Sequence, residues 1–350
     1  MWSRNSLTER LNLEWPILQA PMGDKTTPAL AGAVSNAGAL GGLGMSGLTA
    51  DTVRRRIEGF RQLSAGSLNV NYLLWEHTGD LTGAGTTMRG RLQTLYDTKK
   101  LGAVPVPVGS ESAVDFDHLS VLKDTSPEVI SFHFGLPAPK ICRELKANGI
   151  FLICSATTVA EALALEASGA DAVIAQGTEA GGHRGTFTGV EMNMQPGLFA
   201  LLPQMVDAVT MPVIAAGGIA NGRTVAAALM LGASAVQLGT AFLRCEEANV
   251  HAAHREALGT ASDSATVVTD VISGRPARYI RNALINELGA EEPLPFPAQL
   301  RLTAPLGANG DGQYMALYAG QSAALTTDLP AADLVHKLAV DASACFAAFK

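Results

Sequence analysis

Short apolar runs alternate with amphipathic stretches over residues 1–245 of the chain. Several runs are apolar throughout, which is typical of parallel strands that are covered on both faces. Helical stretches such as 158–169 and 222–232 lie between many of them. The alternation predicts an α/β protein with a (β/α)8 TIM barrel. Its eight strands are expected at residues 16–20, 40–42, 68–73, 129–132, 151–154, 172–175, 213–215 and 235–238.

Two regions depart from this alternation. Residues 76–125 form a long mixed stretch containing Pro105 and Pro107, which predicts an extra helix in an excursion before the fourth strand. From residue 246 onward, helical patterning with polar and proline-containing links replaces the alternation. We therefore expect residues 1–245 to form the barrel, with the excursion at about 76–125. Residues 246–350 are expected to form a smaller, mainly helical substrate subdomain over the barrel mouth.

Composition and charge restrict the classes of partner. The chain has 350 residues, of which 47% are hydrophobic and 16% charged, as expected for a compact α/β protein with a sizeable core. Its formal net charge is −7, and its densest basic run is only the three arginines at 54–56. These features argue against a nucleic-acid partner.

One segment, residues 224–243, carries no charged side chain and is long enough to cross a bilayer. Small and polar residues interrupt it, so we interpret it as a helix, a turn and a short strand rather than as a membrane span. The interrupting residues are Gly232, Ser234, Gln237, Gly239 and Thr240.

The amino-terminal residues and the cysteines indicate the cellular compartment of the protein. Residues 1–15 are polar and mixed in charge, without the apolar run of a signal peptide. Reduced thiols in the cytoplasm therefore fit best, with Cys154 in an apolar strand as a small core residue. No zinc site, dithiol motif or other metal site is predicted, because no CxxC spacing occurs among Cys142, Cys154, Cys245 and Cys345.

A glycine-rich loop with a single histidine follows the sixth predicted strand. Residues 175–185 read Ala-Gln-Gly-Thr-Glu-Ala-Gly-Gly-His-Arg-Gly and place His183 beside two glycines. Glycine lets the backbone approach a ligand closely, and histidine is suited to proton transfer near neutral pH. The loop is interpreted as a cofactor-cradling turn that presents a base. The alternative is a tight turn whose histidine only bonds to the backbone.

Glycine-rich turns also follow the last two predicted strands. The first, at residues 215–222, reads Ala-Ala-Gly-Gly-Ile-Ala-Asn-Gly, and the second, at 237–242, reads Gln-Leu-Gly-Thr-Ala-Phe. In (β/α)8 barrels the loops after strands seven and eight often bind a phosphate on backbone N–H groups. Both turns could instead be simple strand-to-helix connections, but their consecutive placement favours a phosphate site.

Two further segments end predicted strands at the barrel mouth. In Gln-Ala-Pro-Met-Gly at residues 19–23, Pro21 fixes the turn and leaves Met22 able to contact a flat ring. In Ser-Phe-His-Phe-Gly-Leu-Pro at residues 131–137, His133 lies at the barrel end where active sites form. The other histidines have no comparable setting and are expected at the surface or in linkers: His77, His118, His251, His254 and His336.

Residues 42–47 match the pattern GxGxxG and precede a helix expected near Asp51. A dinucleotide-binding fold also requires an acidic residue at the end of the next strand. That strand instead runs through Asn69 and Asn71 without a carboxylate. A Rossmann nicotinamide site is therefore rejected.

Taken together and in this order, these motifs resemble the nitronate monooxygenase family, formerly called 2-nitropropane dioxygenase, and most closely its class I branch. The resemblance extends over essentially the whole chain. It includes Tyr-Met-Ala-Leu-Tyr-Ala-Gly-Gln at residues 314–321, which is similar to a late aromatic motif of the family.

The resemblance implies an FMN enzyme without a nicotinamide requirement. Such an enzyme oxidises alkyl nitronates, including propionate 3-nitronate, with O2 to a carbonyl compound and nitrite or nitrate. His183 matches the catalytic histidine, while His133, Tyr314 and Tyr318 correspond to the substrate pocket. The implied FMN contacts are Ala20, Pro21, Met22, Asn69, Gln176, Gly181, Gly217, Gly218, Gln237, Leu238, Gly239 and Thr240.

Two alternatives share this barrel. One is an NAD(P)H-dependent FMN reductase acting on quinones or enoyl thioesters, and the other is a non-catalytic flavin- or phosphate-binding sensor. The physiological nitronate, a homodimeric assembly and the use of neutral nitroalkanes stay open. It is also open whether His183 takes a proton or only holds the nitro group by a hydrogen bond.

Overall fold

The computed structural model describes residues 2–76, 78–110, 114–289 and 291–348, so the expectation for His77 lies outside the described residues. In this part of the chain the strands are β1 (Ile17–Gln19), β2 (Gly41–Gly44), β3 (Leu68–Leu73), β4 (Val129–His133), β5 (Phe151–Ala156), β6 (Ala172–Gln176), β7 (Gly182–His183), β8 (Val213–Ala216), β9 (Ala235–Leu238), β10 (Thr266–Thr269) and β11 (Ala277–Ile280).

Eight of these strands form a parallel sheet in the order β1-β9-β8-β6-β5-β4-β3-β2. A parallel bridge between Leu18 and Leu40 joins β1 to the chain entering β2, so the sheet closes on itself. All eight predicted strands are found, with small shifts at their ends, and the predicted (β/α)8 barrel is confirmed.

The barrel has two buried layers because alternate residues of a strand face opposite sides of the sheet. Side chains such as Ile153, Ile174 and Ile214 fill the barrel interior, together with Leu7 of the first helix and Leu11 directly after it. That helix is tied to the chain just before β5 and β9, because Arg10 donates to Gly149 O and Asn5 donates to Ser234 O. It therefore covers the end of the barrel where the strands begin.

Helices surround the barrel and continue into the rest of the chain. Most of the barrel helices begin at a polar N-cap, as where the Asn221 side chain accepts from Thr224 N. The helices are α1 (Ser6–Arg10), α2 (Pro28–Asn36), α3 (Ala50–Arg61), α4 (Thr86–Lys99), α5 (Phe116–Thr125), α6 (Pro139–Ala147), α7 (Val159–Ala167), α8 (Leu198–Ala208), α9 (Gly222–Met230), α10 (Ala252–Gly259), α11 (Ala283–Leu288), α12 (Ala298–Thr303) and α13 (Ala331–Ala348).

A second core lies outside the barrel. Apolar side chains of α4, including Leu92 and Tyr96, pack with Tyr279 of β11, Leu284 of α11 and Leu302 of α12. The excursion and the carboxy-terminal segment therefore build one body together. Among the described residues this body also contains an antiparallel sheet, β10-β11-β7, which the prediction of a mainly helical subdomain did not include.

The last helix, α13, belongs to the barrel layer rather than to this second core. Its buried residues, such as Leu334 and Leu338, join the main core, and the helix packs on α9 and α2. The division of the chain at residue 245 stays a prediction.

The uncharged segment at residues 224–243 forms most of α9, then β9 and a 3-10 turn, as the sequence predicted. No helix among the described residues is both long enough and apolar enough to cross a membrane.

Candidate active site

A cavity of about 940 Å³ lies at the carboxyl ends of the barrel strands. Its floor and walls come from strand ends and the loops that follow them, and its cover comes from α12 and the segment at 304–318. This is the end of a (β/α)8 barrel where active sites form. The predicted site residues can therefore be located relative to one cavity.

Polar side chains at the ends of neighbouring strands line the cavity floor. They are Asn71, Ser131, Gln176 and Gln237. The last three follow inward-facing apolar residues of their strands, whereas Asn71 follows the inward-facing Asn69. Asn71 Nδ2 donates to the carbonyl and hydroxyl oxygens of Ser131 at 3.1 and 3.0 Å. The Gln237 Oε1 atom is buried without a hydrogen-bond partner in the described residues.

Asn69 and Leu238, which the resemblance implied as cofactor contacts, do not line this cavity. Asn69 lies two residues before Asn71 on β3, one inward layer below the mouth, and is 1% exposed. Leu238 faces the helices and joins the main core. The alternation of side chains along a strand explains both positions.

The other implied cofactor residues line the cavity as a group. Ala20, Pro21 and Met22 form one wall, and the glycine turns after β8 and β9 form another. Gly217 and Gly218 have φ angles of +112° and +70°, a conformation that favours glycine. No acceptor for the amide N–H of Gly218 or Thr240 is found within the described residues. Such free N–H groups at a turn suit a bound phosphate.

Gly181 allows two loops to touch at this wall. A Cβ at Gly181 would lie 2.5 Å from Gly320 N, so the two backbones are in direct contact. Gly320 N also donates to the Thr240 hydroxyl at 2.9 Å. The segment around residue 320 therefore connects the histidine loop to the turn after β9.

His183 lies on the cavity wall, and its tautomer follows from its neighbours. The hydroxyl of Ser273 donates to Arg275 O at 2.9 Å and accepts from the Tyr279 hydroxyl at 3.1 Å. Because the single serine hydrogen is already used, the 3.0 Å contact between His183 Nε2 and Ser273 Oγ has the histidine as donor. The neutral ring therefore carries its lone pair on Nδ1, which has no hydrogen-bond partner in the described residues.

Burial keeps this imidazole uncharged. Removal from water, together with the nearby His133 and Arg275, lowers the pKa of His183 to about 3. His183 is therefore neutral at physiological pH, and Nδ1 is a proton acceptor rather than a donor.

His133 supports the loop that carries His183. His133 Nε2 and Gln176 Nε2 both donate to the backbone oxygen of His183 at 3.0 Å. Burial lowers the pKa of His133 to about 4, so its ring is also neutral. The structure brings the two predicted histidines together. The hydrogen bond between them joins the His133 ring to the backbone oxygen of His183, not to its imidazole.

Aromatic rings surround the His183 imidazole. Phe296 and Tyr318 have ring centroids 4.9 and 5.5 Å from it, and Phe134 lies 6.1 Å away. Tyr314 lines the outer part of the cavity, where its hydroxyl donates to Glu287 at 2.7 Å. The two predicted tyrosines thus occupy different depths of one cavity.

Sequence reasoning missed several lining residues. His254 is 3% exposed and donates from Nε2 to Tyr318 O at 3.0 Å, so the expectation of a surface or linker position is wrong for it. His251 also borders the cavity, although it is exposed. Phe296, just before α12, also lines the cavity, and Ser273, between β10 and β11, contacts its wall through His183. No local pattern indicates that these segments lie over the barrel mouth.

Comparisons with known proteins agree with this geometry. The chain matches the family model described as nitronate monooxygenase over residues 4–341. It is 41% identical over 347 residues to a nitronate monooxygenase from Paraburkholderia phytofirmans, covering 96% of this chain and 94% of that protein. A probable nitronate monooxygenase from Staphylococcus aureus is 38% identical over 346 residues, covering 97% of each.

Two solved structures are similar to this chain in both sequence and fold. A nitroalkane oxidase from Streptomyces ansochromogenes matches with a TM-score of 0.92 and 38% identity, covering 99% of this chain and 100% of the other. FabK from Thermotoga maritima matches with a TM-score of 0.77 and 31% identity, covering 99% and 98%. The chain therefore belongs to the nitronate monooxygenase family of oxidoreductases, which act on nitronates.

Proposed function

We propose that this chain is an FMN-dependent nitronate monooxygenase. It converts alkyl nitronates and O2 to a carbonyl compound and nitrite or nitrate. The observation that carries the proposal is the neutral His183 imidazole on the wall of a large cavity, with Nδ1 unpaired. The membership of the chain in the family supports the reaction class.

The residues of the cavity fit FMN. The orphaned Gln237 Oε1 matches an N–H of a planar heterocycle, and the glycine turns with free N–H groups match a phosphate. Ala20, Pro21, Met22 and Gln176 would hold the ring, and the turns at 217–218 and 239–240 would hold the phosphate. FMN supplies the electron acceptor for the nitronate when it is bound.

The protein's own part is to position the substrate and to handle its proton. A nitronate is already a carbanion equivalent and requires only to be held among the rings of Phe296 and Tyr318. A neutral nitroalkane must first lose its α-proton, and His183 Nδ1 is the acceptor that the geometry provides. General-base catalysis contributes roughly 10²–10⁴-fold to the rate and is most effective when the pKa of the base lies near the working pH. The lowered pKa of His183 places its contribution toward the lower end of this range.

The outer part of the cavity suits a nitronate with an acidic substituent, such as propionate 3-nitronate. Arg301 lines it, as does Lys25, which is already paired with Asp24 at 2.8 Å. Arg301 is exposed and has no carboxylate partner among the residues that the structure describes. A carboxylate on the substrate would provide one.

The visible spectrum of the purified protein is the first test, followed by anaerobic mixing with reductants. We expect the absorbance bands of oxidised flavin and their rapid loss with ethyl nitronate but not with NADH. A colourless protein that takes up no FMN would contradict the proposal. Rapid reduction by NADH would instead support an NAD(P)H-dependent reductase.

A further inference from the structure

A second, smaller cavity of about 250 Å³ lies beside the histidine loop. None of its lining residues borders the larger cavity. It is formed by the chain after β6, the segment at 192–195 and the β10–β11 hairpin. The lining residues are Thr178, Arg184, Met192, Gln195, Val268 and Arg278.

Two buried arginines meet at this cavity. Arg184 is 1% exposed and Arg278 is 7% exposed. Arg184 donates to the backbone oxygens of Gln176 and Gly177 and to the side chain of Gln195. Arg278 donates to Thr178 O and to the Thr266 hydroxyl. All of these acceptors are uncharged.

Neither guanidinium forms an ion pair within the described residues. The acid beside them, Glu179, accepts instead from Leu198 N at 2.9 Å with both carboxylate oxygens. Each guanidinium also retains N–H groups without an acceptor, because it has five. Burial lowers the pKa of Arg184, and Glu179 and Glu161 are near enough to oppose this decrease, but no carboxylate touches either guanidinium in the described residues. Two neighbouring buried cations without a direct anionic partner are costly.

Gln195 provides an independent indication of a ligand. Its Oε1 accepts from Arg184 Nε at 2.9 Å, but its amide nitrogen is buried without an acceptor. The side chain is 7% exposed and lines the cavity. A buried donor beside two cations calls for an acceptor that carries negative charge.

We propose that this cavity is a binding site for a small oxyanion of the size of sulfate or phosphate. The anion accepts hydrogen bonds from Arg184, Arg278 and Gln195 and neutralises the arginine pair. Because Arg184 also holds the backbone of Gln176 and Gly177, the bound anion stabilises the loop that presents His183. The site is separate from the proposed FMN phosphate site at the glycine turns.

Crystals of the wild-type protein soaked in sodium selenate give a direct test, because selenium can be located by its anomalous scattering. We expect a peak between Arg184, Arg278 and Gln195. A peak only at the glycine turns 217–218 and 239–240, or no peak, would overturn the proposal. This measurement requires no variant to fold.

Melting temperatures provide the test in solution, with sodium sulfate replacing sodium chloride at constant ionic strength. The variant Gln195→Glu keeps the acceptor for Arg184 and supplies a carboxylate in place of the anion. The control Arg223→Gln removes an exposed arginine that makes no described contact. Sulfate also stabilises proteins non-specifically, and this non-specific increase in melting temperature is the same for all three proteins.

We expect sulfate to raise the melting temperature of wild type and Arg223→Gln by about 2–5 °C more than that of Gln195→Glu. In the absence of sulfate, Gln195→Glu should melt at or above the wild-type temperature, because its carboxylate neutralises the arginine pair. Equal sulfate responses in all three proteins would overturn the proposal.

Discussion

At the residue scale, the chemistry of His183 is determined by Ser273, a residue 90 positions away. The serine hydrogen is committed to Arg275 O, so the histidine must donate from Nε2. The lone pair therefore stays on Nδ1. Neither ring nitrogen has a charged hydrogen-bond partner in the described residues. A histidine with a carboxylate in place of Ser273 would have a raised pKa, whereas this one stays neutral.

The substitution His183→Asn separates the two possible roles of this residue. Asparagine can hold a nitro group by a hydrogen bond, but it cannot accept the α-proton. We expect activity on nitroethane to fall roughly 10²–10⁴-fold and activity on ethyl nitronate to change far less. Steady-state oxygen consumption with each substrate measures this difference, and the exposed His336→Asn serves as the control. Equal losses on both substrates would show that His183 is not a base.

The substitution Ser273→Ala tests whether the tautomer is set by the serine. Without this acceptor the proton can move to Nδ1, and activity on nitroethane should fall about 10–10²-fold while ethyl nitronate oxidation is retained. The ratio of the two activities is the measurement, because a general structural defect would lower both.

Two matched variants complete this test. Tyr279→Phe removes a donor to Ser273 but leaves the bond to His183, so the activity ratio should stay close to wild type. Ser322→Ala removes a serine that lines the cavity and makes no side-chain hydrogen bond in the described residues. If Ser273→Ala and Ser322→Ala gave the same activity ratio, the tautomer argument would be wrong.

At the scale of elements, the sequence predicts correctly those strands and turns whose packing partners are adjacent in the chain. Strands such as β3 and β9 are short segments in which polar residues occur only at inward-facing positions, and their bounds match the prediction. The glycine turns after β8 and β9 were found for the same reason, since a strand, a glycine turn and a helix are adjacent in the sequence. These features account for the barrel and for most of the cavity floor.

Elements that depend on distant pairing were missed. The strand β7 has only two residues and exists because Gly182 and His183 pair with Arg278 and Ala277. Its partner β11 is buried by α4, which precedes it by some 180 residues. The burial of His254 likewise depends on the segment around Tyr318 and not on its own helix. No local pattern in the sequence carries this information.

Contact between loops at Gly181 leads to a prediction about cofactor binding. A Cβ there would lie 2.5 Å from Gly320 N and 2.6 Å from Ala319 C, and backbone cannot move aside as a side chain can. Gly181→Ala should displace the segment that holds the Thr240 hydroxyl. We expect the dissociation constant of FMN, measured by fluorescence titration, to rise at least about tenfold.

The matched control is Gly90→Ala, at an exposed position of helix α4. No atom lies within 4 Å of the added methyl group, and alanine favours a helix by about 0.5–1 kcal/mol. This variant should bind FMN as wild type does and should be slightly more stable. Unchanged FMN affinity in Gly181→Ala would mean that the loop contact does not support the cofactor site.

At the scale of the whole molecule, the cavity is closed by chain segments far apart in the sequence. The excursion helix α4 and the segment from β10 to α12 share one core over the barrel mouth. The chain then returns to the barrel through α13, which packs on α9 and α2. This arrangement fixes the cover at both ends of its chain segment. It brings the buried His254 and the half-buried His133 and His183 together around one cavity.

These three histidines make the stability of the fold depend on pH. Burial lowers the pKa of His254 to about 4, below the ordinary value of 6.5, while its Nε2–H bond to Tyr318 O opposes the decrease. Between pH 6.5 and pH 4 the unfolded chain binds the proton and the folded chain does not. Protonation therefore favours unfolding, and stability is lost as the pH falls through this window. His133 and His183 act in the same direction.

The substitution His254→Gln removes one of these titrations while keeping an N–H donor for Tyr318 O. We expect wild type to lose about 3 kcal/mol more than this variant between pH 7 and pH 4, since each pKa unit corresponds to about 1.4 kcal/mol. Urea unfolding at a series of pH values measures the difference, and the exposed His336→Asn should follow wild type. A His254→Gln curve parallel to wild type would mean that the His254 site is open to water and that its proton contributes nothing to acid unfolding.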